Sequence, residues 1–101
     1  MEAKEIRNKY PNKIPIVIRK SEDIHIDKIK YLVPKNLTCG QFMFIIRKRL
    51  KLKEHESIFM MFNSIMLNSS ALLSEYDNTL SNNEYMYIDI TRENTFGSTT
   101  F

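Results

Sequence analysis

Residues 29–50 read IKYLVPKNLTCGQFMFIIRKRL, which places a short strand directly before a helix. The helix begins at Thr38, because TCGQ is a capping-box pattern in which the Thr38 hydroxyl accepts an amide hydrogen and Gln41 reaches back to the cap. Apolar side chains at helical spacing are predicted to cover a sheet, namely Phe42, Ile45 and Ile46. The basic residues of the last turns suit the negative end of the helix dipole.

The sequence before this unit predicts a short helix and a strand. Residues 2–10 favour a polar helix that ends at Pro11. Residues 13–20, KIPIVIRK, alternate as a strand does and place three side chains on one face, Ile14, Ile16 and Ile18. Pro15 has no backbone N–H, so it must lie where the sheet needs no donor. A polar connection, SEDIHIDK, leads to the next strand.

The sequence after the central helix predicts two more strands and a little helix. Residues 57–63, SIFMMFN, form an apolar run that is typical of an interior strand. Residues 70–76, SALLSEY, suit one or two helical turns. Residues 84–91, EYMYIDIT, alternate as a final strand.

This order of elements predicts an α+β fold, in which a helix crosses one face of a four-stranded mixed sheet. Right-handed crossover places the first and last strands side by side in the middle, parallel to each other. This is the β-grasp, or ubiquitin-like, arrangement. It leaves the second strand at an edge of the sheet.

Composition indicates one globular domain. The chain has 101 residues, of which 43% are hydrophobic and 27% charged, and this fits one modest core. No targeting peptide is visible, and the longest apolar runs, FMFII and IFMMF, have five residues each, far short of a membrane span. A single cysteine rules out an internal disulfide and suits a reducing compartment, so we expect a cytosolic or nuclear protein.

Charge is divided unevenly along the chain. Residues 1–53 hold 14 Lys or Arg and 5 Asp or Glu, a net +9, whereas residues 54–101 hold 1 and 7, a net −6. The asymmetry is either an ordinary solvated surface or a basic face that attracts nucleic acid, anionic lipid or an acidic peptide. The run IRKRLKLK weakly supports a nucleic-acid-binding domain. Helix-end charge explains that run without a ligand, and we expect no nucleic-acid partner.

The sequence shows no pattern typical of catalysis. Cys39 lies at a helix start, where a thiolate is favoured, but neither His25 nor His55 has a local relationship to it, and a small buried residue is its favoured role. The histidines and acids lack metal-ligand spacing. Two glycines, Gly40 and Gly97, do not make a glycine-rich phosphate loop. We therefore expect no enzyme, no metal and no bound cofactor.

Three segments resemble the ubiquitin-like autophagy modifiers of the GABARAP family. They are RNKYPNKIPIVIRK, DKIKYLVPKNLTCGQFMFIIRKRL and ENTFG. The resemblance runs from about residue 4 to Gly97 and is weakest at residues 64–84. The chain departs from the family at MLNSS, where two prolines are usual, and at Arg19, where an acid is usual.

The resemblance implies that the chain is matured at Gly97. A cysteine protease would cut the Gly97–Ser98 bond and remove residues 98–101 as a propeptide, leaving residues 1–97 as the ubiquitin-like domain with its N-terminal helix. Ubiquitin-type activating and conjugating enzymes would then join Gly97 to the amine of phosphatidylethanolamine. Glycine suits this role because, lacking a Cβ, it hinders attack on its carbonyl least.

The resemblance also implies that an extended peptide adds to the edge strand. Cargo receptors supply this peptide, which carries an aromatic residue and, three positions on, an aliphatic one, usually flanked by acids. The implied aromatic pocket comprises Glu2, Ile6, Pro15, Val17, Lys30, Leu32 and Tyr85. The implied aliphatic pocket comprises Tyr31, Val33, Pro34, Leu37, Phe42 and Ile45, although Phe42 and Ile45 fit core packing equally well. The acids of the ligand would pair with Lys13, Lys30 and Arg49.

Two functions are consistent with the resemblance. The first is a lipid-conjugated autophagy modifier, cytoplasmic before conjugation and attached to autophagosomal or related vesicle membranes after it. The alternative is a binding module that uses the same pockets without being conjugated. The two hypotheses differ in what happens at Gly97.

Overall fold

The structure is a computed structural model that describes residues 2–52 and 56–92. Within these ranges the chain forms three helices and five strands. In chain order they are α1 Ala3–Lys9, β1 Lys13–Lys20, β2 Lys30–Pro34, α2 Cys39–Leu50, β3 Ile58–Phe62, β4 Ile65–Met66, α3 Leu73–Asp77 and β5 Met86–Arg92.

The sheet has the strand order β2-β1-β5-β3-β4. The two central strands, β1 and β5, are parallel and start their register at Ile16 opposite Met86, while β2 pairs antiparallel with β1. The predicted ubiquitin-like topology and the edge position of β2 are therefore confirmed. Pro15 lies one residue before the β1–β5 register begins, so its missing N–H falls outside that parallel ladder.

The predicted number of strands is wrong by one, because β4 extends the sheet beyond β3. Phe62 pairs with Ile65 and Met61 with Met66, which leaves Asn63 and Ser64 as a two-residue turn. Both turn residues have left-handed backbone angles, with φ of 51° and 66°. Such angles close a tight hairpin whose twist matches that of its strands. β4 has only two residues, too few to produce an alternating pattern in the sequence.

The core lies between α2 and one face of the sheet. Its strand residues include Ile14, Ile16, Ile18, Met60, Ile88 and Ile90. From α2 it takes Cys39, Phe42 and Ile46, each 3% exposed or less. Ile45 was predicted to cover the sheet but is 37% exposed, because the buried stripe of the helix runs on its other side, through Met43. Ile24, in the connection expected to be polar, is also a core residue.

The start of α2 is fixed by two sets of hydrogen bonds. The predicted capping box is present, since the Gln41 N–H donates to Thr38 Oγ1 at 3.0 Å and the Thr38 N–H donates to Gln41 Oε1 at 2.9 Å. The next free donors of the helix are used by the loop before α3: the N–H of Cys39 donates to the Ala71 carbonyl and that of Gly40 to the Ser69 carbonyl, each at 2.9 Å. The first turn of α2 therefore has no donors left for an external anion.

Candidate functional site

The candidate site begins with the free side of β2. This strand pairs with β1 on one side, and no other described strand lies on its opposite side. An edge strand of this kind offers backbone donors and acceptors to an added strand. The side chains on the two faces of the sheet beside this edge therefore decide what kind of peptide would fit there.

Two cross-strand pairs of β1 and β2 lie on one face of the sheet beside this edge. Pro15 lies opposite Leu32, and Val17 lies opposite Lys30. Residues that face each other across a ladder point to the same face of the sheet, so four members of the implied aromatic pocket share one face. Leu32 is 38% exposed and Lys30 is exposed, whereas Pro15 is buried.

The remaining members of the aromatic set approach the sheet from α1 and from the start of β5. Glu2 caps α1 and is exposed, and Ile6 lies in α1 half-buried. Tyr85 immediately precedes β5 and is also half-buried. Arg7 of α1 joins these two parts, since its Nε donates to the Glu84 carbonyl at 2.8 Å. We call the face with these seven residues and Tyr87 the aromatic site.

Tyr87 was missed by the sequence analysis. It lies opposite Val17 in the parallel ladder, is 40% exposed, and stacks edge-on with Tyr85 at a centroid distance of 6.3 Å. The Arg19 guanidinium lies 4.9 Å from the centre of the Tyr87 ring and pairs with Asp89 at 2.8 Å. The sequence did contain the information needed to find Tyr87, because a residue two positions after Tyr85 in a strand lies on the same face as Tyr85.

The implied aliphatic pocket divides into a buried part and an accessible part. Tyr31, Val33 and Phe42 belong to the core, with Phe42 fully buried and its ring edge-on to Tyr31 at 5.6 Å. Burial raises the pKa of the Tyr31 hydroxyl, which donates to the Lys28 carbonyl at 2.8 Å. The accessible part consists of Pro34, Leu37 and Ile45. Only this part offers side chains that a ligand reaches without a change in the core.

Leu37 and Ile45 line a depression of about 570 Å³ that also involves Phe44. Phe44 was not among the predicted residues, yet its side chain is 60% exposed. The Lys48 ammonium lies 4.6 Å from the centre of its ring. Phe44 is two positions from Phe42, which turns it away from the core on a helix. We call the group Leu37, Phe44 and Ile45 the aliphatic site. Pro34 does not belong to it, because Pro34 pairs with Lys13 in the β1–β2 ladder and so points to the face of the aromatic site.

The basic residues expected to bind ligand acids are distributed around this edge. Lys13 and Lys30 are exposed at opposite ends of the β1–β2 ladder, where Lys13 faces Pro34 and Lys30 faces Val17. Arg49, on α2, lies 3.6 Å from an Asp27 oxygen in an exposed ion pair. A ligand carboxylate at Arg49 therefore competes with Asp27, a weak competitor because surface pairs contribute little.

Cys39, which was considered as a possible nucleophile, lies buried with its thiol protonated. Cys39 is 3% exposed, and burial, with a smaller contribution from the Glu75 carboxylate, raises the pKa of its thiol to about 11. Among residues 2–52 and 56–92, no three His, Cys, Asp or Glu side chains lie together in a way that would hold a metal ion. In the same part of the chain, no helix is both long and apolar enough to cross a bilayer. His55, Gly97 and Ser98 lie outside the described residues.

Comparison with protein families decides the identity of this fold. The family described as "Autophagy protein Atg8 ubiquitin like" matches residues 1–97. The chain belongs to the Atg8 family. Members of this family are ubiquitin-like modifiers that act in autophagy and are not enzymes, and lipid conjugation is characteristic of them.

Individual Atg8 proteins support the same assignment. "Autophagy-related protein 8" of Schizosaccharomyces pombe is 44% identical over 96% of this chain and 84% of its own length. "Autophagy-related protein 8e" of Arabidopsis thaliana is 42% identical over 96% and 83%. The crystal structure of Trypanosoma brucei ATG8 superposes with a TM-score of 0.76 at 32% identity, covering 90% of this chain and 82% of that one. This chain is thus an autophagy modifier of the ubiquitin-like type, and the Atg8 family works with ubiquitin-like conjugation enzymes and autophagy receptors.

Proposed function

We propose that this Atg8-family chain captures short acidic peptides that carry an aromatic residue and, three positions on, an aliphatic one, while a lipid joined to Gly97 holds it on the membrane. The observation that carries the peptide part is the free edge of β2, with the aromatic site on one side and the aliphatic site on the other. The segments KYLVP and TCGQF support a narrower kinship with the GABARAP branch of the family. Receptors with such peptides are the proposed partners.

The three-residue spacing of the ligand anchors fits an edge strand with one site on each face of the sheet. In a strand, side chains at positions i and i+2 share a face, whereas those at i and i+3 point to opposite faces. A peptide added beside β2 with anchors three positions apart therefore sends its aromatic residue toward one face of the sheet and its aliphatic residue toward the other. Leu32 is accessible on the first face, and Leu37 and Ile45 are accessible on the second.

Charge favours an acidic ligand at the same place. Lys13 and Lys30 are exposed along the β1–β2 ladder and point to the face of the aromatic site. Each interaction with a ligand carboxylate is exposed and is weakened by salt. The lysines therefore increase the association rate and set the direction of the peptide, while the apolar anchors supply most of the affinity.

A titration with a short acidic peptide that carries Trp and, three positions on, Leu tests the binding proposal. The protein contains no Trp, so the Trp fluorescence comes from the peptide alone. We expect Leu32→Ala and Lys30→Glu each to weaken binding by about tenfold, the effect of losing one anchor or reversing one close charge. Ile65→Ala, a 65% exposed residue at the other edge of the sheet, is the control and should bind as the parent does. Equal affinity for all four proteins would exclude this site.

The proposed lipid attachment at Gly97 is supported by the ENTFG segment and by the family to which the chain belongs. Burying acyl chain stabilises membrane binding by about 0.8 kcal/mol per CH₂ group, and one myristoyl chain gives only marginal binding, so a two-chain phospholipid is suited to stable anchoring. Phosphatidylethanolamine is then a covalent anchor, and the proposed locations are the cytoplasm before conjugation and autophagosomal membranes after it.

Incubation with the processing cysteine protease of the family, followed by mass spectrometry, tests the maturation step. We expect the chain to lose the mass of STTF, residues 98–101. Gly97→Ala should slow both this cleavage and conjugation to phosphatidylethanolamine in vesicles, because a side chain at this carbonyl hinders attack. A chain that stays uncut while it still binds the acidic peptide would favour the non-conjugated binding module.

A further inference from the structure

A buried ion pair joins α1, which carries part of the aromatic site, to the end of α3. Arg7, in α1, donates to both carboxylate oxygens of Asp77, at 2.7 and 2.9 Å. The side chain of Asp77 is 4% exposed and that of Arg7 12% exposed. Paired donation from one guanidinium to both oxygens of a carboxylate fixes orientation as well as distance.

The third hydrogen bond of Arg7 links α1 to the segment that leads into β5. Its Nε donates to the backbone carbonyl of Glu84 at 2.8 Å. Glu84 directly precedes Tyr85, and Ile6 directly precedes Arg7. One guanidinium thus fixes α1, the end of α3 and the start of β5 relative to one another.

The helix α1 needs such a connection. It has seven residues, and isolated helices shorter than about 12 residues are marginal in water. Ala3 is its one buried apolar residue, and Ile6 is half-buried. With so little apolar contact, the place of α1 on the sheet depends strongly on the Arg7 hydrogen bonds.

We infer that Arg7 is a positioning residue for the aromatic site, which sets the distance between Ile6 and Tyr85 and so the width available to the aromatic side chain of the ligand. This inference rests on the proposed peptide-binding function. Arg7 acts through α1 and Tyr85, with its own guanidinium occupied by Asp77 and Glu84. The aliphatic site, on the other face of the sheet, does not depend on it.

The variant Arg7→Lys tests the inference, because it keeps a positive charge beside Asp77 but cannot reproduce the planar fork and the third bond. Arg92→Lys is the matched control. Arg92 also donates to two carboxylates, of Asp23 and Glu56, and to one backbone carbonyl, that of Asp23. It lies at the far end of β5 from Tyr85. Two acidic peptides serve as probes: one with Trp and Leu three positions apart, and one with Ala in place of Trp.

The expected result is a loss confined to the Trp anchor. Arg7→Lys should weaken binding of the Trp peptide about tenfold, which lies within the coupling that neighbouring groups show, and leave binding of the Ala peptide unchanged. At saturation the Trp emission should also shift less to the blue than with the parent, since a wider site admits water. Arg92→Lys should match the parent with both peptides.

Specific outcomes would overturn the inference. If Arg7→Lys binds the Trp peptide with parental affinity and emission, or loses affinity equally for both peptides, Arg7 does not position the site. If Arg7→Lys fails to fold, Arg7→Met combined with Asp77→Leu removes both charges at similar volume, a replacement that is often neutral for stability, and the same selective loss is expected. A parent that binds the Trp peptide no better than the Ala peptide would overturn the proposed aromatic site itself, and the positioning role with it.

Discussion

Gly40 donates its backbone N–H to the Ser69 carbonyl oxygen at 2.9 Å, and a Cβ added to Gly40 would stand 3.0 Å from the same oxygen. The start of α2 and the loop before α3 therefore approach each other as closely as a glycine permits. The atom in the way is backbone, and moving it would lengthen the hydrogen bond that holds the two segments together.

Gly40→Ala is therefore expected to destabilise the protein. Alanine is favoured over glycine within a helix by about 1 kcal/mol, but overpacking costs about 1–3 kcal/mol. We expect a net loss of about 1 kcal/mol in the free energy of unfolding, measured by urea denaturation. An increase in stability would show that the loop at Ser69 yields freely.

Phe42 and Phe44 give a matched test of which α2 side chains belong to the core. Phe42 is fully buried against Tyr31, whereas Phe44 is 60% exposed. Phe42→Ala is expected to cost about 3–5 kcal/mol of unfolding free energy, and Phe44→Ala less than about 0.5 kcal/mol. Phe42→Leu, with a smaller loss, keeps the comparison possible if the alanine variant does not fold. Similar losses for Phe42→Ala and Phe44→Ala would contradict this arrangement.

The main features of the fold follow from local patterns in the sequence. The capping box at Thr38 and Gln41 is readable because its two bonds join residues three positions apart. The parallel pairing of β1 and β5 follows from the handedness of the crossover once the elements are known. Both kinds of information are contained in short segments and in their order.

Contacts that depend on distant residues could not be predicted in this way. Arg7 and Asp77 are 70 positions apart, and neither lies in a periodic pattern that points to the other. β4 is too short for a pattern, and its turn lacks the glycine that usually marks such a hairpin. Ile24 lies in a segment whose polar composition hides one core side chain. Tyr87, in contrast, was predictable from alternation with Tyr85.

Tyr87 is expected to contribute to the proposed aromatic site. It lies opposite Val17 and is 40% exposed. Tyr87→Ala should weaken binding of the Trp peptide by about threefold to tenfold, because aromatic contacts contribute about 0.5–1.5 kcal/mol beyond the area they bury. The affinity is measured by fluorescence of the peptide Trp, with Ile65→Ala as the control for loss of an exposed apolar side chain. Parental affinity in Tyr87→Ala would place the ligand elsewhere on the sheet.

The buried thiol of Cys39 is expected to make the free energy of unfolding fall at alkaline pH. Burial raises the pKa of its thiol from an ordinary value of 9.0 to about 11 in the folded chain. Between these two values the unfolded chain gives up the thiol proton while the folded chain keeps it, so the unfolded state binds fewer protons and stability falls as the pH rises. One pKa unit corresponds to about 1.4 kcal/mol, so raising the pH from 7 to about 10 should lower the unfolding free energy by about 1–1.5 kcal/mol through this group.

The variant Cys39→Ala separates this effect from that of Tyr31. Burial also raises the pKa of the Tyr31 hydroxyl, so the ionisation of Tyr31 likewise lowers the stability of the folded chain as the pH rises. Urea denaturation at both pH values should show a smaller decrease for Cys39→Ala than for the parent, although the variant is less stable at pH 7 because a small cavity remains. Alkylation gives an independent measurement, since the thiolate is the reacting form and the thiol is 3% exposed. Iodoacetamide should therefore react with the native chain at pH 8 roughly a hundredfold more slowly than with the urea-unfolded chain. Equal rates in the two states, or equal pH dependence of the parent and Cys39→Ala, would show that the thiol is not held neutral by its burial at the start of α2.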